Sequence, residues 1–188
     1  MINLIDEAGV LSPEEFTRLK NFVPDDCLCT TTEAPWLLHV KVREDGFTGY
    51  RGYWTAIFTI VGPDVKLDQA VIVLNATYLL TVEQMEKTLA HEYGHHWTIG
   101  YLMDRFELRH YFNERAPSLY YRIRGLPPDD FAPDYSMGWV RCDKEVLAED
   151  YKYRFSPYTG EHRMEGLVAN PSTEVRDYIW SLGKPPWF

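Results

Sequence analysis

The five residues His91-Glu92-Tyr93-Gly94-His95 constrain this chain more than any other stretch. They sit in a segment that opens with Thr81-Val82-Glu83-Gln84, which has the form of a capping box: Thr81 caps, and Gln84 answers three positions on. A helix is therefore expected from about Val82 to about Ile99. It either ends at Gly100 or runs on as a second helix to about Arg115. Residues four apart share one face of a helix, so both imidazoles can aim at one point. Glu92 lies about 100° further round. From there it reaches that point without occupying it. Six histidines and fifteen glutamates would produce this spacing somewhere in roughly 1–2% of shuffled chains. Leu89 and Trp97 flank it with apolar surface, which fits a designed helix better than a coincidence.

Two imidazoles at this spacing suit a transition metal, and a catalytic zinc takes three protein ligands with a fourth position open. The bound water is then activated, and a carboxylate such as Glu92 can take its proton. A third histidine further along the same segment would need glycine at 98 and histidine at 101. Thr98 and Tyr101 stand there, so the metzincin pattern is excluded. The remaining source is a carboxylate from another helix. Lys144-Glu145-Val146-Leu147-Ala148-Glu149-Asp150-Tyr151 offers Glu145 and Glu149 on one face, with Val146 and Leu147 to anchor the helix in the core. One carboxylate can bind the ion while the other accepts a hydrogen bond from a ligand histidine and fixes its tautomer. Asp150 takes that second part if the register differs by one.

The arrangement resembles the gluzincins, and is closest in pattern to the anthrax lethal factor catalytic domain and the Pro-Pro endopeptidases. These share a Glu-x-x-Ala-Glu helix some 40–50 residues after the second histidine, matched here by Glu145 to Glu149. The resemblance covers about residues 88–155. It implies an α+β, zincin-like fold with a small twisted sheet packed on the active-site helix and a helical C-terminal part. It implies Zn2+ held by His91, His95 and Glu145, with Glu149 behind a ligand histidine and Glu92 as general base of an endopeptidase. A tyrosine shortly before the ligand glutamate steadies the oxyanion in those families. Its counterpart is Tyr135, ten residues before Glu145 and further than the family spacing. The zincin sheet also offers an edge strand to an extended peptide.

The rest of the chain is consistent with one domain spanning 1–188, with helix and sheet in 1–80 and mainly helices in 81–188. Ser12-Pro13-Glu14-Glu15 starts a helix whose stripe is Phe16, Leu19 and Val23. Residues 36–43, 53–61 and 70–75 read as strands, and Glu44-Asp45-Gly46 as a turn. Residues 125–138 hold three prolines and two glycines, so they read as a long loop able to wall a cleft. Asn170-Pro171-Ser172 caps a last helix to about Leu182.

A formal net charge of −9 repels phosphate backbones, which excludes nucleic acid as the default partner. No apolar run is long enough to span a membrane, and the first residues lack the form of a leader. The expectation is a monomer acting on a peptide or protein, cytoplasmic by default. Three cysteines at irregular spacing do not make a disulfide framework. Cys142 is expected to be buried near the site without being a ligand. His39 and His162 read as structural, His96 as a packed or surface histidine pointing away from the metal face, and His110 as a surface residue that could also approach the cleft. Asp25-Asp26, with Cys27 and Cys29, suggests an N-terminal segment able to donate a ligand and hold the enzyme latent. The main rival is a zinc-binding interaction or regulatory module without turnover. Others are a domain that binds no metal and a zinc hydrolase acting on another bond.

Overall fold

The computed structural model describes residues 2–23, 37–46, 49–61, 64–106, 114–158, 162–164 and 166–182. Cys27, Cys29, the acidic pair beside them and His110 lie outside that set. So does the expectation that this N-terminal segment reaches the site.

Four strands form one mixed sheet. Strand β1 (Ile2–Asp6) pairs in parallel with β2 (Leu37–Arg43), β2 in parallel with β4 (Asp64–Asn75), and β4 antiparallel with β3 (Gly52–Val61), giving the order β1-β2-β4-β3. The period of two in the sequence sets its faces. Leu38, Val40, Val42, Ala70, Ile72 and Leu74 are buried together on one side. His39, Lys41 and Arg43 alternate onto the other, less covered side. Strand β3 forms one edge.

Helix α1 (Pro13–Lys20) follows β1 and carries both halves of its capping box between Ser12 and Glu15. Helix α2 (Val82–Phe106) crosses the buried face of the sheet against β3 and β4. Thr81 Oγ1 accepts from the Gln84 amide at 3.2 Å, while the Gln84 side chain accepts from Leu80 N at 2.8 Å. Behind α2 lie α3 (Ser118–Arg124), α4 (Asp143–Phe155) and α5 (Thr173–Leu182), with α2 packed on α4 and α5. Two 3-10 turns, Tyr135–Met137 and Trp139–Arg141, lead into α4.

The structure departs from the sequence expectations at four places. Strand β1 was not anticipated, because five residues with one buried leucine show little alternation; its parallel pairing to β2 defines it. Strand β4 begins six residues earlier than expected. Helix α2 passes through Gly100, which is buried within it and caps nothing. The stretch before and within 125–138 holds helix α3, with Gly125 as its left-handed cap at φ 70°, and the two 3-10 turns.

Among the described residues no helix is long and apolar enough to cross a membrane. Positions 88 to 100 of α2 are all buried, because sheet and helices cover it from both sides. That run includes His91, Glu92, His95 and His96. Burying this many polar groups is costly unless each meets a partner.

Candidate metal centre

The α2–α4 crossing builds the site. Gly94 lies where the two helices touch: a Cβ there would come within 2.7 Å of the Ala148 carbonyl oxygen and 3.1 Å of its Cα. The missing side chain lets the backbones close, and the Glu145 turn of α4 reaches the histidine face of α2.

Glu145 Oε2 lies 3.0 Å from His91 Nε2 and 3.2 Å from His95 Nε2. The two rings stand perpendicular, 4.8 Å apart. The second oxygen, Glu145 Oε1, accepts a hydrogen bond from Tyr135 Oη at 2.6 Å. On the far side of the His91 ring, Nδ1 lies 2.7 Å from Glu149 Oε1. Glu149 is itself held by Lys152 Nζ at 2.8 Å and by the Arg163 amide at 2.9 Å. One candidate ligand atom from each of His91, Glu92 and His95 also lies within 4.8 Å of the others. Of the two nearby carboxylates, Glu145 is the better third ligand, because a single oxygen meets both nitrogens.

Atoms held about 2.0–2.2 Å from a tetrahedral ion stand about 3.3–3.6 Å apart. The observed 3.0 and 3.2 Å fall just short of that range, so an ion would fit with outward movements of a few tenths of an ångström. The donor set, two imidazoles and a carboxylate, is one that zinc accepts.

The electrostatics match a cation site. Burial alone would lower the pKa of His91, but hydrogen bonds to Glu145 and Glu149 carry it up to about 10. Burial would raise Glu145, but the charge of His95 and the hydrogen bonds from both histidines hold it well below the usual carboxylate range. Glu149 is likewise depressed, mainly by His91, against the effect of burial. Glu92 goes the other way: burial raises it, which the neighbouring histidines only partly oppose. A carboxylate with raised proton affinity beside the two imidazoles has the character of a base. Burial and the charge of Glu145 push the Tyr135 hydroxyl well above its ordinary value, so it stays a donor.

In front of Glu92 a cleft of about 230 Å³ is lined by Trp54, His95, Ile99, Pro133, Tyr135 and Glu145, among others. A second, more open lobe continues past Glu92 and His91. Residues 133–135 of the expected long loop do wall the cleft.

The other residues fall into place. Asp150 is engaged away from His91 and His95: it accepts from Tyr120 Oη and Arg124 Nε, both at 2.7 Å, and meets His162 Nε2 at 2.9 Å. Glu149 is thus the acid behind His91. His96 is buried on another face of α2, where Trp54 Nε1 donates to its Nδ1 at 3.3 Å. His39 pairs with Asn3 across the sheet. Cys142 lines the cleft beside α4, and burial raises its thiol pKa to about 11, so it stays protonated.

Sequence reasoning missed Trp139, whose ring lies 5.9 Å from that of His91. It also missed Lys152 and Gly52. A Cβ on Gly52 would stand 2.6 Å from Thr88 Cγ2, 2.8 Å from the Val73 oxygen and 3.5 Å from Glu92 Oε1. The i, i+3 spacing of Glu149 and Lys152 was a usable signal; nothing local marks Trp139 or Gly52.

No protein-family model, curated protein or solved structure matches this chain.

Proposed function

We propose that this protein is a zinc-dependent endopeptidase with a zincin-like fold. The observation that carries the reading is Glu145 Oε2, which reaches both Nε2 atoms of the histidine pair from a second helix. Three protein ligands would leave one position of a tetrahedral ion open, and Glu92, His95 and Glu145 all line the cleft. A fully structural zinc site closes its shell with four protein ligands and needs no carboxylate beside the opening.

His91, His95 and Glu145 hold the ion, and Glu149 fixes His91 in the tautomer that presents Nε2. Zinc bound there supplies Lewis acidity, to water and to a carbonyl. Glu92 takes the proton from the attacking water, keeps it in its buried position, and delivers it to the departing amine. Tyr135 leaves Glu145 Oε1 and donates to the oxygen on which negative charge grows. The cleft extends to both sides of Glu92, which suits a chain passing through better than a chain end. Strand β3 begins at Gly52, which lines both lobes and so puts a sheet edge beside that path. Such an edge binds extended peptides through backbone hydrogen bonds. The substrate is a peptide or protein and the working unit a single chain.

The test is elemental analysis beside cleavage of a mixed peptide library. Wild type holds about one zinc per chain, as one such site requires. Glu145→Ala loses it. Glu92→Ala keeps it and cuts at least about 100-fold more slowly. A protein that takes up no zinc sinks the reading. One that holds zinc but cuts nothing is a regulatory or binding module.

A further inference from the structure

The cleft is not alike on its two sides. The lobe over Trp54, Ile99, Pro133 and Cys142 is largely apolar. The other lobe, about 670 Å³, is bounded by Arg51 and Arg163 together with Gly49 and His91. Tyr50, Gly52, Glu92, Tyr135 and Trp139 line both. The line from Glu92 to Tyr135 therefore divides an apolar half from a half carrying two guanidinium groups.

In a chain of net charge −9 that pairing stands out. Among the described residues, Glu92 is the only carboxylate lining the second lobe. Both arginines are exposed, and among the described residues neither guanidinium has an ion-pair partner. The Lys144 ammonium at the apolar lobe differs: it is buried, bonded to the Glu114 carbonyl and 2.9 Å from Asp143 Oδ1.

The backbones that carry the two arginines are fixed to the frame of the metal centre. The Arg51 carbonyl accepts from Asn75 N at 2.9 Å, and the next residue, Gly52, sits tightly on Thr88 of α2. The Arg163 amide donates to Glu149 Oε2, whose partner oxygen faces His91. Arg163 is also near enough for its charge to act on Glu92.

We propose that Arg51 and Arg163 form an anion subsite that takes a carboxylate of the substrate on one side of the bond to be cut. This rests on the zinc-peptidase reading and narrows it to a substrate class. The carboxylate is that of an acidic side chain, as a chain passing through would present, or of a peptide's own C-terminus, which would move the cut to near a chain end and replace the endopeptidase reading. Both present the planar anion that a guanidinium meets with paired hydrogen bonds. The negative field of the whole protein repels such ligands at long range, so the subsite acts at contact and gives selectivity rather than capture.

The test separates the two sources and does not depend on turnover. Zinc-loaded protein is titrated with peptide hydroxamates of one backbone, made in both chain directions, with the hydroxamate as anchor on the metal. One carries glutamate and an amidated end, one glutamine and an amidated end, one glutamine and a free C-terminus. Wild type should bind one of the two acids about tenfold more tightly than the neutral compound, the size of a charge-assisted contact at a partly exposed site. Which acid wins identifies the source. In Arg51→Gln/Arg163→Gln the preference should fall within twofold of unity, and in Arg51→Lys/Arg163→Lys most of it should remain. Both side chains are exposed, so zinc content and melting should not change, and the same samples report that. Equal binding of all three compounds, no binding at all, or a preference that the glutamine pair retains overturns the subsite. Library cleavage on these samples tests the other reading alone: an acid preference without cleavage keeps the subsite and removes the peptidase, and cleavage without an acid preference does the reverse.

Discussion

Glu145 Oε2 stands between two imidazole nitrogens, and His91 in turn stands between two carboxylates. Both groups are buried, so each depends on the other for its charge state. Glu149 has the smaller visible part and a measurable one. Its Oε1 lies 2.7 Å from Nδ1, which would leave Nε2 for an ion, and loss of such a partner costs about 10–100-fold in metal affinity. Glu149→Gln should show a zinc dissociation constant raised by that amount in a competition titration; an unchanged constant would mean that Lys152 and Arg163 hold a purely structural acid. The His91 pKa of about 10 also gives a pH signature. Its folded value lies above the ordinary 6.5, so in chelated protein its contribution to stability is full below pH 6.5 and is lost as pH rises through about 10. Zinc bound at Nε2 would displace that proton. The melting temperature of chelated protein should therefore fall between pH 7 and 10 by more than that of zinc-loaded protein. Parallel curves would show that His91 does not carry the proton.

At the scale of elements, the α2–α4 contact decides whether the ligands meet. Alanine in place of Gly94 would gain about 1 kcal/mol of helix propensity. Against that, the added methyl meets the backbone of Ala148 and not a movable side chain. Overpacking of this kind costs about 1–3 kcal/mol or more, so the steric effect wins. Gly94→Ala should lower the urea midpoint of chelated protein and weaken zinc binding at least about tenfold. A variant more stable than wild type would show that the helices do not cross so closely. Nothing in the sequence around residue 94 reveals this contact, because its partner is 54 residues away. Helix α4 itself, by contrast, was legible from Glu145, Val146, Leu147 and Glu149 and falls within a residue of its expected start.

Across the whole molecule, α2 is enclosed between the sheet and the α4–α5 layer, and buried polar ties hold these layers in place. Glu86 of α2 accepts two hydrogen bonds from Arg18 of α1, at 2.7 and 2.6 Å, and one from Tyr158 after α4 at 2.6 Å. Asp150 joins α3, α4 and His162, and Asp143 accepts from Ala116 N and Tyr121 Oη. A metal bridging α2 and α4 would therefore stabilise the fold as a unit. At a free concentration 100-fold above the dissociation constant, zinc would add about 2.7 kcal/mol. For a chain of this length that corresponds to a rise of roughly 5–11 °C in melting temperature. Removing zinc with a chelator should lower the transition by that much and restoring it should reverse the change; a transition indifferent to both would place the metal outside the cooperative unit.

The chain's own periodicities carried the strands β2 and β3, the start of α2, and the candidate triad His91, Glu92 and His95, since each depends on neighbours within one or two turns or on strand alternation. The same helical period put Glu145 and Glu149 on one face, and the resemblance to the gluzincins gave each its expected role. The order β1-β2-β4-β3, the burial of α2 on both sides, the contact at Gly94, the place of Gly52 beneath Glu92 and the meeting of Arg51 with Arg163 at one lobe could not be read in this way. Each of these joins residues far apart in the sequence, and such a contact is set by how layers pack, which no local pattern encodes.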